Sequence, residues 1–137
     1  MNDLNLFQIQ DGILVEYLGN EKSIVIPDGV TMICPWAFMD YKELIDINIP
    51  RGVATIGDCA FNGCSNLVRA ELAQGVERIG DCAFEGCVSL AFISIPATVN
   101  FIGADAFGGC EGLVIIAPKG SYAEQYALEN GIELQYS

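Results

Sequence analysis

The amino-acid sequence predicts a right-handed α/β solenoid, in which four coils of 23 residues stack and share a short parallel sheet. Three observations predict this fold. Isoleucine recurs every 23 residues, an Ala-Phe pair recurs at the same interval, and both end segments carry the signals of caps. We expect a single domain over residues 1–137, with an N-terminal cap over 1–23, four repeats over 24–115 and a C-terminal cap over 116–137.

The repeat is visible as columns of like residues at a constant step of 23. The strand column is Ile24, Ile47, Ala70, Ile93 and Ile116. The aromatic column, whose members each follow an alanine, is Phe38, Phe61, Phe84 and Phe107. The consensus I-x-I-P-x-G-V-x-x-I-G-x-x-A-F-x-G-C-x-x-L-x-x holds too many columns in register to arise by chance.

Each unit divides into three local structures. The I-x-I segment predicts a three-residue strand with both apolar side chains on the inner side, and the proline after it opens a turn, as in Ile26–Gly29. The V-x-x-I-G segment carries the chain across the coil, and we expect positive φ at its glycines, which are Gly57, Gly80 and Gly103. The A-F-x-G-C segment predicts a short helical turn on the far side.

One coil of this kind cannot bury its apolar face alone, so it requires a neighbour on each side. Stacking turns each column of the sequence into a column in space, with successive strands about 4.8 Å apart. The four phenylalanines are therefore expected to form an internal aromatic stack.

The two end segments predict caps for the open ends of the stack. At the N-terminus, two short apolar strands flank Asp11-Gly12, a dipeptide that favours a type I′ hairpin turn. At the C-terminus, Ser121 and Glu124 form a capping box, and a helix follows that ends at Asn130-Gly131. A last strand is expected near residues 132–135.

The repeat unit resembles that of the BspA-like leucine-rich repeat family. The resemblance covers about Ile24 to Ile116, and Pro118–Ala123 looks like the terminal cap of that family. It implies a curved leucine-rich-repeat solenoid without enzymatic activity and a role in protein binding or surface adhesion, often within larger secreted bacterial proteins. The first repeat departs from the pattern, because Cys34-Pro35-Trp36 stands where a later coil has Gly57-Asp58-Cys59.

The charge balance excludes two classes of partner. Eighteen acidic and six basic residues give a net charge of -12, which disfavours nucleic acids and anionic lipid because both require a basic face. The first seven residues contain neither a basic region nor an apolar run, so they are not a secretory signal peptide. We expect a cytoplasmic protein as written, or a cell-surface or secreted one if a leader has been removed.

The sequence contains no histidine, so the usual general base and the Ser-His and Cys-His pairs are absent. We therefore predict no catalytic residues, no enzyme activity and no cofactor. Asp58 and Asp81 share one column and could act as an acid–base pair or bind Ca²⁺. The alternative, which the repeat favours, is a solvated rim.

Cysteines also follow the repeat. Four of them, Cys59, Cys64, Cys82 and Cys87, could supply four thiolates to zinc. Disulfides are a second interpretation, and small thiols that fill the coil corners are a third. The third interpretation needs nothing beyond the repeat itself, so we predict no metal site.

We predict that a partner binds the outer face of the sheet, because repeat solenoids commonly bind along such a surface. The candidate residues are those that flank the inward column: Asp46, Asn48, Arg69, Glu71, Phe92, Ser94 and Ile115. Phe92 and Ile115 are apolar at positions where nothing inside the coil requires it. Packing against the C-terminal cap, or tolerated exposure, is the alternative explanation for these two.

Trp36 is a further candidate for partner binding. It forms an apolar group with Met39 and Tyr41 in the irregular first coil. Such residues dominate interface hot spots, but they could equally pack under the N-terminal hairpin.

These observations together predict a non-catalytic protein-protein interaction module, either a monomer or a weak homo-oligomer. One alternative is an adhesin fragment of a secreted bacterial surface protein, which would bind a host or matrix protein. A second alternative is a structural spacer or a self-associating unit.

Overall fold

The chain winds as a parallel β-solenoid of about five turns, and a computed structural model describes residues 4–137. It begins with a 3-10 helix, Leu4–Leu6, and no helix in the described residues is long and apolar enough to cross a membrane. The strands and the single α-helix are β1 (Phe7–Gln10), β2 (Ile13–Tyr17), β3 (Ser23–Val25), β4 (Met32–Ile33), β5 (Asp46–Ile49), β6 (Thr55–Ile56), β7 (Arg69–Leu72), β8 (Arg78–Ile79), β9 (Phe92–Ser94), β10 (Phe101–Ile102), β11 (Val114–Ala117), α1 (Tyr122–Glu129) and β12 (Glu133–Tyr136).

Two sheets run along the solenoid, where the sequence predicted one. The long-strand sheet has the order β12-β11-β9-β7-β5-β3 and contains the I-x-I segments. The short-strand sheet has the order β1-β2-β4-β6-β8-β10, and its two-residue strands come from the V-x-x-I segments. The segment predicted only to cross the coil is therefore hydrogen-bonded to its neighbours. Because both caps add strands to the stack, the turns outnumber the four predicted coils.

The predicted aromatic stack is confirmed. The ring centroids of Phe38 and Phe61 are 5.0 Å apart, those of Phe61 and Phe84 5.2 Å, and those of Phe84 and Phe107 5.6 Å. Neighbouring rings are tilted by no more than 8°. All four side chains are buried, so a column of the sequence has become the centre of one continuous apolar core.

The A-F-x-G-C segments form hydrogen-bonded turns rather than helical ones. These turns are joined by a third set of bonds between coils, which we call the turn ladder (residues 35–40, 58–63, 81–86 and 104–109). For example, the Phe61 N–H donates to the Ala83 carbonyl at 2.8 Å. Each turn contains one residue in the left-handed region that is not glycine: Trp36 (φ 62), Cys59 (φ 57), Cys82 (φ 57) and Asp105 (φ 56).

The glycines of the V-x-x-I-G segments serve a different purpose from the predicted one. None of them has a positive φ, so that prediction is wrong for Gly57, Gly80 and Gly103. Their neighbours explain why they are small. A Cβ on Gly57 would lie 2.6 Å from the Ile33 oxygen and 2.6 Å from the Pro35 nitrogen. Close approach of successive coils, and not backbone conformation, therefore requires glycine here.

The N-terminal hairpin is confirmed as a cap. β1 and β2 pair antiparallel, and Asp11 (φ 52) and Gly12 (φ 80) both have the positive φ that a type I′ turn needs. The Phe7 ring lies 4.9 Å from that of Tyr17, which lies 5.8 Å from that of Phe38. The hairpin thus covers one end of the aromatic stack.

The C-terminal helix covers the other end. The Ser121 hydroxyl accepts a hydrogen bond from the Glu124 N–H at 3.1 Å, and the Glu124 carboxylate accepts one from the Gly120 N–H at 2.8 Å. Hydrogen bonds from the Tyr136 hydroxyl and the Gly120 N–H lower the pKa of Glu124. The Tyr126 ring lies 6.1 Å from that of Phe107, so α1 extends the core and then leads into β12.

We expect Ser121→Ala to lower the free energy of unfolding by about 1 kcal/mol, because the Glu124 N–H loses its acceptor at the start of α1. Urea unfolding followed by circular dichroism measures the difference. Ser89→Ala is the control, since Ser89 is an exposed serine in a turn and should change stability by less than about 0.5 kcal/mol. Equal effects of the two substitutions would contradict the capping role.

The last strand of the repeat is one residue out of step. Ile93 pairs with Ile115 and not with Ile116, although Leu113 still follows Leu90 by 23 residues. One residue is therefore missing between Leu113 and β11, and a shift of one reverses which side chains face outward. The prediction that Ile115 lies on the outer face is wrong, because its side chain is fully buried.

Candidate functional site

The outer face of the long-strand sheet, hereafter the outer face, carries two rows of side chains that alternate with the buried strand column. One row is Ser23, Asp46, Arg69, Phe92, Val114 and Glu133. The other row is Val25, Asn48, Glu71, Ser94, Ile116 and Gln135. The structure therefore brings six of the seven sheet residues predicted for partner binding onto one face, and Val114 and Ile116 flank the position expected for Ile115.

The centre of the outer face is polar. Asn48, Arg69 and Glu71 are exposed, whereas Asp46 is half-buried and accepts a hydrogen bond from the Ser23 hydroxyl at 2.7 Å. A shallow depression of about 330 Å³ lies here, and its lining is Ile45, Asp46, Ile47, Asn48, Val68, Arg69 and Glu71. Charges of both signs thus border one depression.

The C-terminal half of the outer face is apolar. The Phe92 ring is 38% exposed, and Val114 and Ile116 on the next strand are half-buried. A second depression of about 190 Å³ lies here, and its lining is Arg69, Ala70, Glu71, Phe92, Ser94 and Ile116. The two depressions share Arg69 and Glu71, so polar and apolar halves meet at this pair.

Sequence reasoning missed two aliphatic residues of this site. Ile45 and Val68 are 39% and 40% exposed and line the polar depression. They immediately precede β5 and β7 at a position that the consensus treats as variable. Their signal is an apolar residue in two adjacent coils just before the strand, where the inward pattern does not call for one.

Trp36 lies away from the outer face, at the N-terminal end of the solenoid. Its side chain is 59% exposed and that of Met39 is 45% exposed, so these two do not pack under the hairpin. Tyr41 does pack there, with its ring 5.5 Å from that of Tyr17 and its hydroxyl donating to the Glu21 carbonyl. Burial raises the pKa of Tyr41. The predicted apolar group therefore divides into one structural residue and two exposed ones.

The cysteines also divide by position, and none of the six is in a disulfide. Three are buried, and each Sγ–H donates to a phenylalanine carbonyl one coil back: Cys64 to Phe38 at 3.1 Å, Cys87 to Phe61 at 3.2 Å and Cys110 to Phe84 at 3.3 Å. Burial raises the pKa of Cys110 to about 11. Cys59 and Cys82 are half-buried in the turn ladder, so the four thiols considered for zinc are split between the core and the rim.

Stacking brings together one cluster that the sequence analysis did not anticipate. The Cys82 sulfur and one carboxylate oxygen each of Glu85 and Asp105 lie within 4.8 Å of one another. Asp105 occupies the place of Cys82 in the following coil. Desolvation and the hydrogen bond with Glu85 raise the pKa of Cys82 to about 11. The thiol is therefore protonated at neutral pH, and a thiol is a weaker nucleophile and ligand than a thiolate.

The Asp58 and Asp81 column joins one coil to the next. The Asp58 carboxylate accepts a hydrogen bond from the Asp81 N–H at 2.9 Å, and the Asp81 carboxylate accepts one from the Ala104 N–H at 2.9 Å. The sequence analysis considered an acid–base pair, a Ca²⁺ site or a solvated rim for these residues. Their backbone contacts are a structural role that it did not consider.

Comparison with known structures gives the same architecture. The leucine-rich repeat protein of T. pallidum is 31% identical, with a TM-score of 0.72 over 84% of this chain and 70% of that one. A leucine-rich repeat protein from Bacteroides capillosus is 27% identical, with a TM-score of 0.70 over 81% of this chain and 91% of that one. A leucine rich cell surface protein from Faecalibacterium prausnitzii is 28% identical, with a TM-score of 0.58 over 84% of this chain but only 37% of that one.

Sequence comparison is consistent with these structural matches. No curated protein sequence matches the chain significantly. The family model of the BspA type leucine rich repeat region matches residues 14–135 in six copies, which is most of the 137-residue chain. The match extends beyond the four predicted repeats into both caps. The chain therefore belongs to the BspA-type leucine-rich repeat family.

Proposed function

We propose that this chain is a non-catalytic interaction module that binds a protein partner on the outer face. One observation carries the proposal. The exposed side chains of Asn48, Arg69 and Glu71 make no hydrogen bond or ion pair with any residue between 4 and 137, and they lie beside the exposed ring of Phe92. Unpaired polar groups around an apolar centre are the usual composition of a protein interface.

The shape of the outer face supports a macromolecular partner. Its two depressions are shallow and lie side by side across neighbouring strands of a six-stranded sheet. Sites for small molecules are concave and bury most of the ligand surface. A partner with an extended contact surface fits the outer face better.

The opposite sheet offers less to a partner. On the short-strand sheet, the Arg78 guanidinium lies 4.2 Å from the centroid of the Phe101 ring. This cation–π contact engages the arginine within the chain. Arg69 on the outer face has no such contact among the described residues, so its charge is available to a partner.

Three features support a function without catalysis. The sequence has no histidine to act as a general base. The aspartates of the shared column hydrogen-bond to backbone amides of the next coil. Cys82 and Cys110 have pKa values of about 11, so their thiols are not activated as nucleophiles at neutral pH.

The proposal is tested by cross-linking and then by affinity. A photoreactive amino acid at position 48 captures the partner, which mass spectrometry identifies and which is then purified. We expect Phe92→Ala to weaken its binding by about tenfold or more, because Phe92 is the aromatic anchor at the centre of the outer face. Surface plasmon resonance measures the dissociation constants.

Val88→Ala is the matched control for this measurement. Val88 is 62% exposed, and it lies in a turn rather than on the outer face. Its truncation should leave the affinity unchanged. The proposal fails if Phe92→Ala binds as tightly as the original chain, or if Val88→Ala weakens binding as much.

Adhesion at a cell surface is the second candidate function. It is supported by the similarity to the Faecalibacterium prausnitzii protein, which is described as a cell surface protein. Antibody labelling of intact cells that express the full-length gene product tests it. Labelling of intact cells is the expected result, and labelling that requires permeabilised cells would contradict it.

A further inference from the structure

The N-terminal end of the solenoid contains a cleft that is separate from the outer face. Its volume is about 560 Å³, and its walls come from the end of β2 and from the first turn of the turn ladder, residues 35–40. Glu16, Trp36, Met39 and Asp40 are the exposed side chains that matter here. We call this space the end cleft.

The backbone of the first turn presents unused hydrogen-bond acceptors to the end cleft. In the second coil, the carbonyls of Asp58, Ala60 and Asn62 accept hydrogen bonds from the first coil at 3.1, 2.7 and 2.7 Å. The matching carbonyls of the first coil accept none from any residue of 4–137, and they belong to Pro35, Ala37 and Met39. The turn ladder therefore begins with three open acceptors, all on residues that line the end cleft.

The ionisable side chains around the end cleft are acidic or phenolic. Glu16 and Asp40 line it, and no lysine or arginine does. The whole chain has a net charge of -12, which adds to the negative potential at this end. An occupant that supplies positive charge and hydrogen-bond donors would complement both the carboxylates and the open carbonyls.

The apolar part of the end cleft is aromatic. Trp36 is 59% exposed and Met39 is 45% exposed, beside Val15 at 41%. Trp36 has a left-handed backbone with φ 62, which is uncommon outside glycine and asparagine. An indole face next to two carboxylates suits a cation that is flat and weakly hydrated.

We propose that the end cleft receives an arginine side chain from a polypeptide partner. A guanidinium group carries five N–H donors and no acceptor, which matches a site that offers carboxylates and carbonyls. Its plane stacks on an aromatic face. This site is independent of the outer face, so binding there would survive the loss of Phe92.

Trp36 is the only tryptophan of the chain, so its emission reports on the end cleft directly. The probe is a blocked peptide, acetyl-Val-Arg-Val-Arg-Val-amide, titrated into the full chain. We expect a saturable change in emission, with NMR amide shifts concentrated in residues 13–17 and 34–41. Peptides with lysine, glutamine or glutamate in place of arginine should bind more weakly, in that order.

Charge-matched variants separate the end cleft from general attraction to an acidic protein. We expect the double variant Glu16→Gln, Asp40→Asn to weaken binding of the arginine peptide by about fivefold, because two exposed charge pairs are lost. Asp28→Asn with Glu77→Gln removes the same charge from exposed positions outside the end cleft and should leave the affinity unchanged.

Three results would overturn the proposal. They are equal binding of the arginine and glutamine peptides, equal weakening by the two double variants, and the absence of any saturable change in Trp36 emission. Equal binding of the lysine peptide would overturn the assignment to arginine. Phe92→Ala should leave this titration unaltered, so failure at the end cleft is distinguishable from failure at the outer face.

Discussion

Phe84→Ala is expected to lower the free energy of unfolding by about 3–5 kcal/mol. The ring is completely buried and stacks on Phe61 at 5.2 Å and on Phe107 at 5.6 Å. Its removal leaves a cavity between two coils that backbone hydrogen bonds hold at a fixed spacing, so the walls cannot collapse far. A loss of this size is a large part of the roughly 5–15 kcal/mol that stabilises an ordinary domain.

Urea unfolding followed by circular dichroism measures this loss as a fall in the transition midpoint. Phe92→Ala is the matched control, because it is the same chemical change at a ring that is 38% exposed on the outer face. We expect it to cost less than about 1 kcal/mol. Equal costs for the two substitutions would mean that the aromatic stack does not hold the coils together.

The aromatic stack could be predicted from the sequence because its residues repeat at a constant step. A residue that recurs every 23 positions occupies the same place in every coil, so the sequence column is also the spatial one. The caps were equally accessible, because Asp11-Gly12 and the pair Ser121 and Glu124 each have a local physical meaning. Hairpin and helix lie where those residues placed them.

The short-strand sheet could not be predicted in the same way. Its strands from β4 to β10 are two residues long, with one buried side chain each, as in Thr55–Ile56. A run of two residues contains no alternation from which a strand can be recognised. These strands form because the long-strand sheet already aligns the coils, so they depend on the assembled fold.

The last strand shows where periodicity is too weak to fix the register. All four residues of Val114–Ala117 are apolar, so either of two registers would place isoleucine inside. The missing residue after Leu113 selects the one that buries Ile115. The candidate site was thus predicted correctly where polar and apolar residues alternate, as at Arg69 and Glu71, and wrongly where they do not.

Gly80→Ala is expected to lower the free energy of unfolding by about 2–3 kcal/mol. A Cβ at this position would lie 2.6 Å from the Asp58 nitrogen and 2.8 Å from the carbonyl carbon of Gly57. Both are backbone atoms of the preceding coil, so no side-chain rotation relieves the contact. The coils would have to separate at a place where the Gly80 N–H bonds to the Ile56 carbonyl at 2.8 Å.

Two further variants isolate the cause of this effect. At Gly112, an added methyl group would have no heavy atom within 4 Å, and the backbone has no positive φ, so Gly112→Ala should be neutral or slightly stabilising. Gly80→Asn distinguishes close approach from backbone conformation, because asparagine tolerates a left-handed backbone but is larger than alanine. If close approach is the constraint, the asparagine variant unfolds at a lower urea concentration than the alanine variant. A glycine required for positive φ would give the opposite order, with asparagine the milder change.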